Sequence, residues 1–278
     1  MSLPGGGPEA CDEEQQLVGG PVRPLTPEAL HCLLRYDDLP QDRQSGVVLA
    51  DVRRPDPQGR ARIPGSLQIP LYAVRTKGFL RSTTVVLIGE GHDDGPLLEE
   101  CARLGGAGFA QVRVLEGGIN HWWERGGPIE GDPEALAGLS RVTPAELESA
   151  LRTGEWRVAG FRVEAKDLAL APVGPAVLLP DPAAGEEFVS AVRALQKRLP
   201  AGKGRLARLL LFDRKGDDCP QAEGVLRHAR EAGQDLGTVF YLDGGLDAYE
   251  RYQALQSNRA TVGQIPSTVR QGRCGSCP

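Results

Sequence analysis

The sequence contains no run of eighteen consecutive apolar residues, about the length that a membrane-crossing helix requires. It also has no excess of basic residues, because 32 Lys and Arg residues face 37 Asp and Glu residues, giving a formal net charge of −5. A nucleic-acid-binding surface needs a positive field, so the composition argues against a nucleic-acid partner. The contents of 40% hydrophobic and 25% charged residues are those of an ordinary globular protein.

Cysteine is scarce as well, with six in 278 residues, which is too few for a disulfide scaffold. Cys32 and Cys101 lie in helix-patterned segments, and we expect both to be small buried core residues, since free cysteine is among the most buried residue types. The chemically interesting cysteines are Cys219, directly before a predicted helix, and the closing pair Cys274-Gly-Ser-Cys277.

The N-terminal residues 1–20 are acidic and rich in glycine and proline. They have neither the basic nor the apolar region of a signal peptide, and we expect them to form a disordered segment. As it stands the sequence is typical of a cytoplasmic protein. Removal of an upstream leader would leave the same sequence in a periplasmic protein, so the compartment stays open.

An internal repeat is the most informative pattern that the chain contains. Leu115-Glu-Gly-Gly-Ile-Asn-His-Trp122 and Leu242-Asp-Gly-Gly-Leu-Asp-Ala-Tyr249 match position for position, 127 residues apart. A β-rich run, a polar loop, a proline and a helix-patterned segment precede each copy. The spacing is too long for a solenoid and indicates a duplicated domain. The paired glycines in both copies predict tight strand-to-helix turns.

Short apolar runs such as Val47–Ala50 and Val85–Ile88 alternate with helix-patterned segments. This pattern is typical of strands buried on both faces of a parallel sheet. We therefore predict an α/β fold of two tandem domains, each a mostly parallel sheet flanked by helices. The predicted boundaries are a disordered segment at 1–20, a first domain at 21–130, a second, divergent domain at 131–256, and an extended tail at 257–278.

Three segments of the first half carry a family resemblance. Asp51-Val-Arg53, Ile63–Pro70 and Val112–Trp122 are similar, in order and spacing, to the D-V-R, H-I-P-G-A and L-x-G-G segments of the rhodanese family of sulfurtransferases. Arg62 stands where that family has histidine. The resemblance extends over residues 22–256 as two copies, although the second half shows no clear D-V-R segment and only a weak echo of the Pro-Gly-Ala segment at 172–180.

The resemblance implies an active-site loop in each half, between a strand and a helix. In active members this loop begins with a cysteine that carries sulfur as a persulfide, and backbone amides with a loop arginine stabilise the anion. Here Gly89 and Asp213 take the cysteine position, and Asp94 and Asp218 take the arginine position. The loop residues are Gly89, Glu90, Gly91, His92, Asp93, Asp94 and Gly95 in the first half, and Asp213, Arg214, Lys215, Gly216, Asp217, Asp218 and Cys219 in the second.

The carboxylates in these loops would repel an anionic substrate. The repulsion between two like charges about 4 Å apart is on the order of 1–4 kcal/mol. His92 is the only candidate cation in the first loop, and Arg214 and Lys215 are expected to supply the only positive charge near the second. A cysteine at a helix N-terminus can have a lowered pKa, but Asp217 and Asp218 oppose this at Cys219.

Three functions fit these residues, and the sequence leaves open whether the protein is an enzyme. The first is a non-catalytic binding scaffold that uses the loops for recognition. The second is a sulfur or thiol carrier that works through Cys274 and Cys277. The third reading is a sulfurtransferase with Cys219 as a displaced nucleophile. We predict no cofactor and a protein or sulfur-transfer partner, with the oligomeric state open. A metal at Cys274 and Cys277 would need further ligands.

Overall fold

The computed structural model describes residues 25–39, 46–54, 61–152, 155–199 and 207–263. Two five-stranded sheets, both entirely parallel, form the centre of the molecule, and helices lie beside them. The predicted α/β class with mostly parallel sheets is confirmed. None of the helices in the described ranges is both long and apolar enough to cross a membrane.

The first sheet has the order β1-β6-β5-β2-β4, and the second has the order β8-β12-β11-β9-β10. The strands of the first sheet are β1 Leu33–Leu34, β2 Val47–Asp51, β4 Leu67–Gln68, β5 Thr84–Ile88 and β6 Gln111–Leu115. Those of the second are β8 Arg141–Val142, β9 Glu155–Gly160, β10 Val177–Leu178, β11 Ala207–Phe212 and β12 Val239–Leu242. A separate antiparallel pair joins β3 Ala61–Arg62 to β7 Glu130–Gly131. In chain order the two five-stranded sheets are the same, as expected of a duplicated unit.

Within the described ranges, eight α-helices accompany these strands. They are α1 Pro27–His31, α2 Leu71–Val74, α3 Gly95–Gly106, α4 Gly118–Glu124, α5 Pro144–Ala150, α6 Glu186–Lys197, α7 Cys219–Glu231 and α8 Gly245–Gly263. Thr26 caps α1 by accepting a hydrogen bond from the Ala29 amide, and Thr143 forms a complete capping box with Glu146 at the start of α5. Both halves therefore open with the helix start that their Thr-Pro sequences predict.

The central strands are buried on both faces, which explains their continuous apolar sequence. In β5, Val85 and Leu87 belong to the core beneath α3, whereas Val86 and Ile88 belong to the core beneath α4. All four side chains have no exposed surface. Such a strand needs no polar alternation, because neither face meets water.

Strand register identifies the segment of the second half that corresponds to Asp51-Val52-Arg53. The Val52 amide donates to the Ile88 carbonyl in the first half, and the Phe161 amide donates to the Phe212 carbonyl in the second. Gly160-Phe161-Arg162 therefore takes the place of the D-V-R segment, and the arginine is kept. Only the aspartate and the valine differ, which is why the sequence showed no clear match.

The weak echo at residues 172–180 is confirmed in the same way. The Ile69 amide donates to the Asp51 carbonyl, and the Leu179 amide donates to the Gly160 carbonyl. Because Asp51 and Gly160 are equivalent, Pro70 and Pro180 are equivalent too.

The prediction that the extended tail begins at residue 257 is wrong, because residues 257–263 continue helix α8. No glycine or proline interrupts the chain between Gly245 and Gly263, so nothing ends the helix sooner. The N-terminal segment 1–20 and the rest of the tail lie outside the described residues.

The expectation that Cys32 and Cys101 are unpaired core residues is wrong, because they form a disulfide. Cys32 lies at the C-terminal end of α1 and Cys101 lies within α3, with their Cα atoms 6.3 Å apart. Both are buried, at 6% and 3% exposure, as predicted. Their pairing depends on the packing of α1 against α3, which residue spacing does not reveal.

Loss of this disulfide should lower the free energy of unfolding by about 2–4 kcal/mol, because it closes a loop with a sequence separation of 69 residues. Guanidinium denaturation of the Cys32→Ala/Cys101→Ala variant measures the loss. Reductant should bring the wild-type protein to the variant's stability and leave the variant unchanged. Cys219→Ala, which truncates a buried free thiol, is the matched control and should keep the wild-type sensitivity to reductant. A wild-type protein that is indifferent to reductant would contradict the pairing.

Candidate functional site

The first loop, Gly89–Gly95, is packed tightly against the turn at Gly117-Gly118. The Ile119 amide donates to the Gly89 carbonyl at 3.0 Å. A Cβ atom on Gly118 would lie 2.2 Å from the Gly89 oxygen, and one on Gly91 would lie 2.0 Å from the Gly117 oxygen. Gly91 and Gly118 also have φ values of 111° and 54°, which only glycine adopts readily. The loop can therefore approach the turn only because both sides lack side chains.

The second loop, Asp213–Cys219, repeats this arrangement. The Leu246 amide donates to the Asp213 carbonyl at 3.0 Å, as Ile119 does to Gly89. A Cβ atom on Gly245 would lie 2.5 Å from the Gly216 nitrogen. The prediction of tight turns at the two glycine pairs is confirmed, and the close approach of the loop is a second reason for glycine there.

Gly89 lies at the end of β5, where the resemblance places the cysteine. A Cβ atom added there would lie 2.7 Å from Leu97 Cδ1, the end of a side chain that projects from α3. A side chain at this position would therefore require the end of the Leu97 side chain to move.

Asp94, at the N-terminus of α3, is fully buried and forms an ion pair with Arg208. Arg208 Nη2 lies 2.7 Å from Asp94 Oδ2, and Arg208 Nε donates to the Gly91 carbonyl at 3.1 Å. The Gly117 amide donates to the same Asp94 oxygen at 3.0 Å. Arg208 belongs to β11 of the second half and is itself only 5% exposed. The expectation that His92 is the only candidate cation at this loop is therefore wrong, because the fold brings the start of β11 to it.

Other residues of the second half cover the same loop. Ser149 Oγ donates to Asp93 Oδ2 at 2.8 Å, and Thr238, next to β12, hydrogen-bonds to the ring of His121. The Arg208 guanidinium also lies 5.7 Å from the centre of the Trp156 ring. The carboxyl end of the first sheet therefore meets the starts of β9, β11 and β12, and the first loop is enclosed between the two halves.

Burial raises the pKa of the Asp94 carboxyl above its ordinary value, because removal from water disfavours the charged form. Arg208 and the Gly117 amide act in the opposite direction. Asp94 Oδ1 has no hydrogen-bond partner among the described residues, so Arg208 is the main compensation for this buried charge.

Asp213 takes the position of Gly89 in the second loop, and backbone amides bind its carboxylate there. The side chain is 1% exposed and accepts hydrogen bonds from the backbone amides of Gly216 and Asp218. These amides lie just before α7, where the resemblance expects an anion to bind. Burial raises the pKa of Asp213, and the two amide bonds oppose that rise. The Asp213 carboxylate thus occupies the position where the resemblance expects an anion.

The charges around the second loop are neutralised by neighbours. Asp218 pairs with Arg162, whose guanidinium also contacts Asp181 at 2.8 Å. The expectation that Arg214 and Lys215 supply the only positive charge here is wrong. Arg162, which lies outside the loop sequence, also places a positive charge beside Asp218.

The charge of Arg214 is also neutralised by neighbouring side chains. It forms ion pairs with three carboxylates, those of Asp167, Asp247 and Glu250, at 3.1, 2.6 and 2.8 Å. Lys215 and Asp217 are the exposed residues of this loop.

Cys219 is the first residue of α7 and is 2% exposed. Burial raises the pKa of its thiol to about 12, and the nearby Asp213 carboxylate contributes to the rise. The thiolate is the nucleophilic form of cysteine, and both burial and Asp213 disfavour that form here. Asp218, not Cys219, occupies the N-cap position.

No group of three or more His, Cys, Asp or Glu side chains is arranged to hold a metal within the described ranges. Cys274 and Cys277 lie outside those ranges.

Residues 36–125 match the model of the rhodanese-like domain family. Among solved structures, the chain is similar to a Bacillus halodurans protein at 25% identity, covering 37% of this chain and 78% of that one, with a TM-score of 0.31. It is also similar to a thiosulfate sulfurtransferase from Pseudomonas aeruginosa at 17% identity, covering 80% of this chain and 42% of that one, with a TM-score of 0.30. A rhodanese-like domain of an Anabaena protein is 26% identical over 31% of this chain and 81% of that one, with a TM-score of 0.28. No curated protein matches.

Removal of Arg208 should destabilise the protein strongly, because it leaves the Asp94 carboxylate buried without a counter-charge. We expect Arg208→Met to cost about 3–5 kcal/mol of unfolding free energy. The double variant Asp94→Asn/Arg208→Met should recover most of the loss. Urea denaturation of the wild type, both single variants and the double variant gives the coupling energy. Additive effects in this cycle would contradict a direct pair.

The same variant should show a specific pH dependence. Without Arg208 the pKa of Asp94 rises further above its unfolded value. A raised carboxyl pKa means that stability is lost as the pH rises through the folded pKa and regained below it. The stability gap between Arg208→Met and the wild type should therefore narrow from pH 7 to pH 5.

Proposed function

We propose that this protein is a non-catalytic, tandem rhodanese-like binding protein. One observation carries the proposal: each loop contains a buried carboxylate that is bound by groups of the same chain. In the first loop it is the buried carboxylate of Asp94, paired with Arg208. In the second it is the carboxylate of Asp213, bound by two loop amides. These carboxylates would compete with a persulfide or thiosulfate for the same hydrogen-bond donors and cations.

Of the two loops, the second is the one we assign to recognition. The first is enclosed by the second half, whereas Lys215 and Asp217 of the second loop are exposed. The neighbouring edge strand β10 exposes Val177 and Leu178, at 40% and 49%. Exposed apolar residues on a sheet edge are a usual feature of protein contact sites, so we infer a protein partner.

The protein should show no thiosulfate:cyanide sulfurtransferase turnover on the enzymatic scale of about 1–10³ per second. Gly89→Cys alone should not restore it, because the new side chain meets Leu97 and the adjacent charge is Asp94. Thiocyanate formation measures turnover, and peptide mass spectrometry after exposure to polysulfide locates any added sulfur. A sulfur adduct on Cys219, with turnover lost in Cys219→Ser, would falsify the non-catalytic proposal.

The sequence favours a second candidate, in which the terminal Cys274-Gly-Ser-Cys277 pair carries sulfur or a thiol-disulfide function. Two cysteines within the last five residues of a cysteine-poor chain support it. This carrier would use the same folded halves as a platform, with chemistry confined to the tail.

Truncation after Gln271 separates the two candidates. A carrier should lose its uptake of polysulfide sulfur on truncation, and the full-length variant Cys274→Ser/Cys277→Ser should lose it equally. Mass spectrometry of the intact protein measures the uptake. Undiminished uptake in both proteins would exclude the carrier and leave the binding role.

A further inference from the structure

The connection between β4 and β5 exposes two aromatic side chains. Tyr72 is 72% exposed and Phe79 is 61% exposed, more than any other large hydrophobic side chain in the described ranges. The matching connection of the second half, between β10 and β11, contains a single aromatic residue, Phe188, which is fully buried. The shared fold therefore does not require aromatic residues on this surface, and their exposure in the first half has another cause.

The same connection is basic. Arg75, Lys77 and Arg81 are all exposed, and the chain contains no Asp or Glu from Pro57 to Gly89. Within the part of the chain that the structure describes, neither Arg75 nor Lys77 forms an ion pair. Arg81 donates a hydrogen bond to an uncharged group, the backbone carbonyl of Ala107 at the end of α3, at 3.2 Å. We call these exposed side chains the aromatic–basic patch, which consists of Tyr72, Arg75, Lys77, Phe79 and Arg81.

The residues of the patch share one surface because their neighbours in sequence point into the protein. Leu71, Val74 and Leu80 pack in the core beneath α3. A series of short-range hydrogen bonds holds the backbone of the connection. Five of its amides donate to the carbonyl three residues earlier, those of Ala73, Thr76, Lys77, Leu80 and Arg81. The patch is therefore anchored to the core from below, and much of its backbone hydrogen bonding is satisfied internally.

We propose that the aromatic–basic patch binds the surface of a membrane that contains anionic lipids. The rings of Tyr72 and Phe79 enter the headgroup layer, where amphipathic and aromatic side chains are favoured. The three basic side chains contact the lipid phosphates, and each adds to the attraction. The chain as a whole has a formal net charge of −5, so an anionic surface repels it overall and the local positive charge sets its orientation.

An acidic segment of another protein is the competing occupant. Peptide recognition commonly adds a strand to a free sheet edge or places a helix in an apolar groove. The patch is a series of turns whose amides are bonded internally, and its two aromatic side chains project into solvent. A bilayer surface requires neither a free edge nor a groove, so these observations favour the membrane.

Co-sedimentation of the full-length protein with lipid vesicles tests the proposal. Vesicles of equal parts phosphatidylcholine and phosphatidylglycerol should pellet the protein at low salt, and pure phosphatidylcholine vesicles should leave it in solution. High salt should release it, because the screening length falls from about 30 Å at 0.01 M to about 3 Å at 1 M. Absence of sedimentation with the anionic vesicles, or equal sedimentation with both kinds, would overturn the proposal.

Two double variants assign the binding to the patch, measured at about 0.1 M salt, where the screening length is about 10 Å. Arg75→Gln/Lys77→Gln should weaken binding to the anionic vesicles about thirtyfold, since each basic residue at such a surface contributes about fivefold. Tyr72→Ser/Phe79→Ser should weaken it about tenfold through the loss of apolar contact. Both variants should unfold at the wild-type urea concentration, because the changed side chains are exposed.

Lys197→Gln/Arg198→Gln is the matched control, because it removes two exposed basic residues from the end of α6 in the second half. It should keep the wild-type affinity for the vesicles. Equal weakening in the control and in the patch variants would contradict the assignment. Binding of a polyglutamate peptide through the patch, without binding of vesicles, would show that the occupant is an acidic protein segment and would overturn the membrane proposal.

Discussion

The buried ion pair between Asp94 and Arg208 is the interaction on which the arrangement of the two halves depends. Each charge on its own would be strongly disfavoured away from water, so the pair holds only while the halves stay together. Its partners extend the constraint, since Arg208 also binds the Gly91 carbonyl and Asp94 also binds the Gly117 amide. The first loop thus binds a cation of its own chain.

The two loops share a backbone geometry and differ in how their polar groups are satisfied. Gly91 and Gly216 each approach a glycine pair, so the loop backbone packs against the turn in the same way in both halves. In the first loop, Arg208 of the second half binds the Gly91 carbonyl and Asp94. In the second loop, the carboxylate of Asp213, a loop residue, accepts from the loop amides. The same backbone geometry can thus hold different side-chain chemistry, which is why function has to be argued from side chains.

Much of the fold was predictable from the sequence, because it depends on local pattern. The apolar run at Val85–Ile88, the Thr-Pro helix starts and the glycine pairs each specify a local element, and their repetition specifies the second half. The contact of Arg208 with the first loop was not predictable, since it depends on how two sheets meet. One signal existed: an arginine at the start of the apolar strand Ala207–Phe212 is unusual in a buried segment. The pairing of Cys32 with Cys101 had no comparable signal, because it requires α1 and α3 to be neighbours.

The disulfide also makes the two halves unequal. It ties α1 to α3 in the first half, whereas within the described residues the second half contains a single cysteine, which is free. Disulfides persist in oxidising compartments and are rare in the cytosol. The redox state of the surroundings therefore acts on the stability of the first half through this bond. Under oxidising conditions the first half is covalently restrained. Under reducing conditions it loses that restraint, and with it the covalent support of helix α3, at whose start Asp94 binds Arg208.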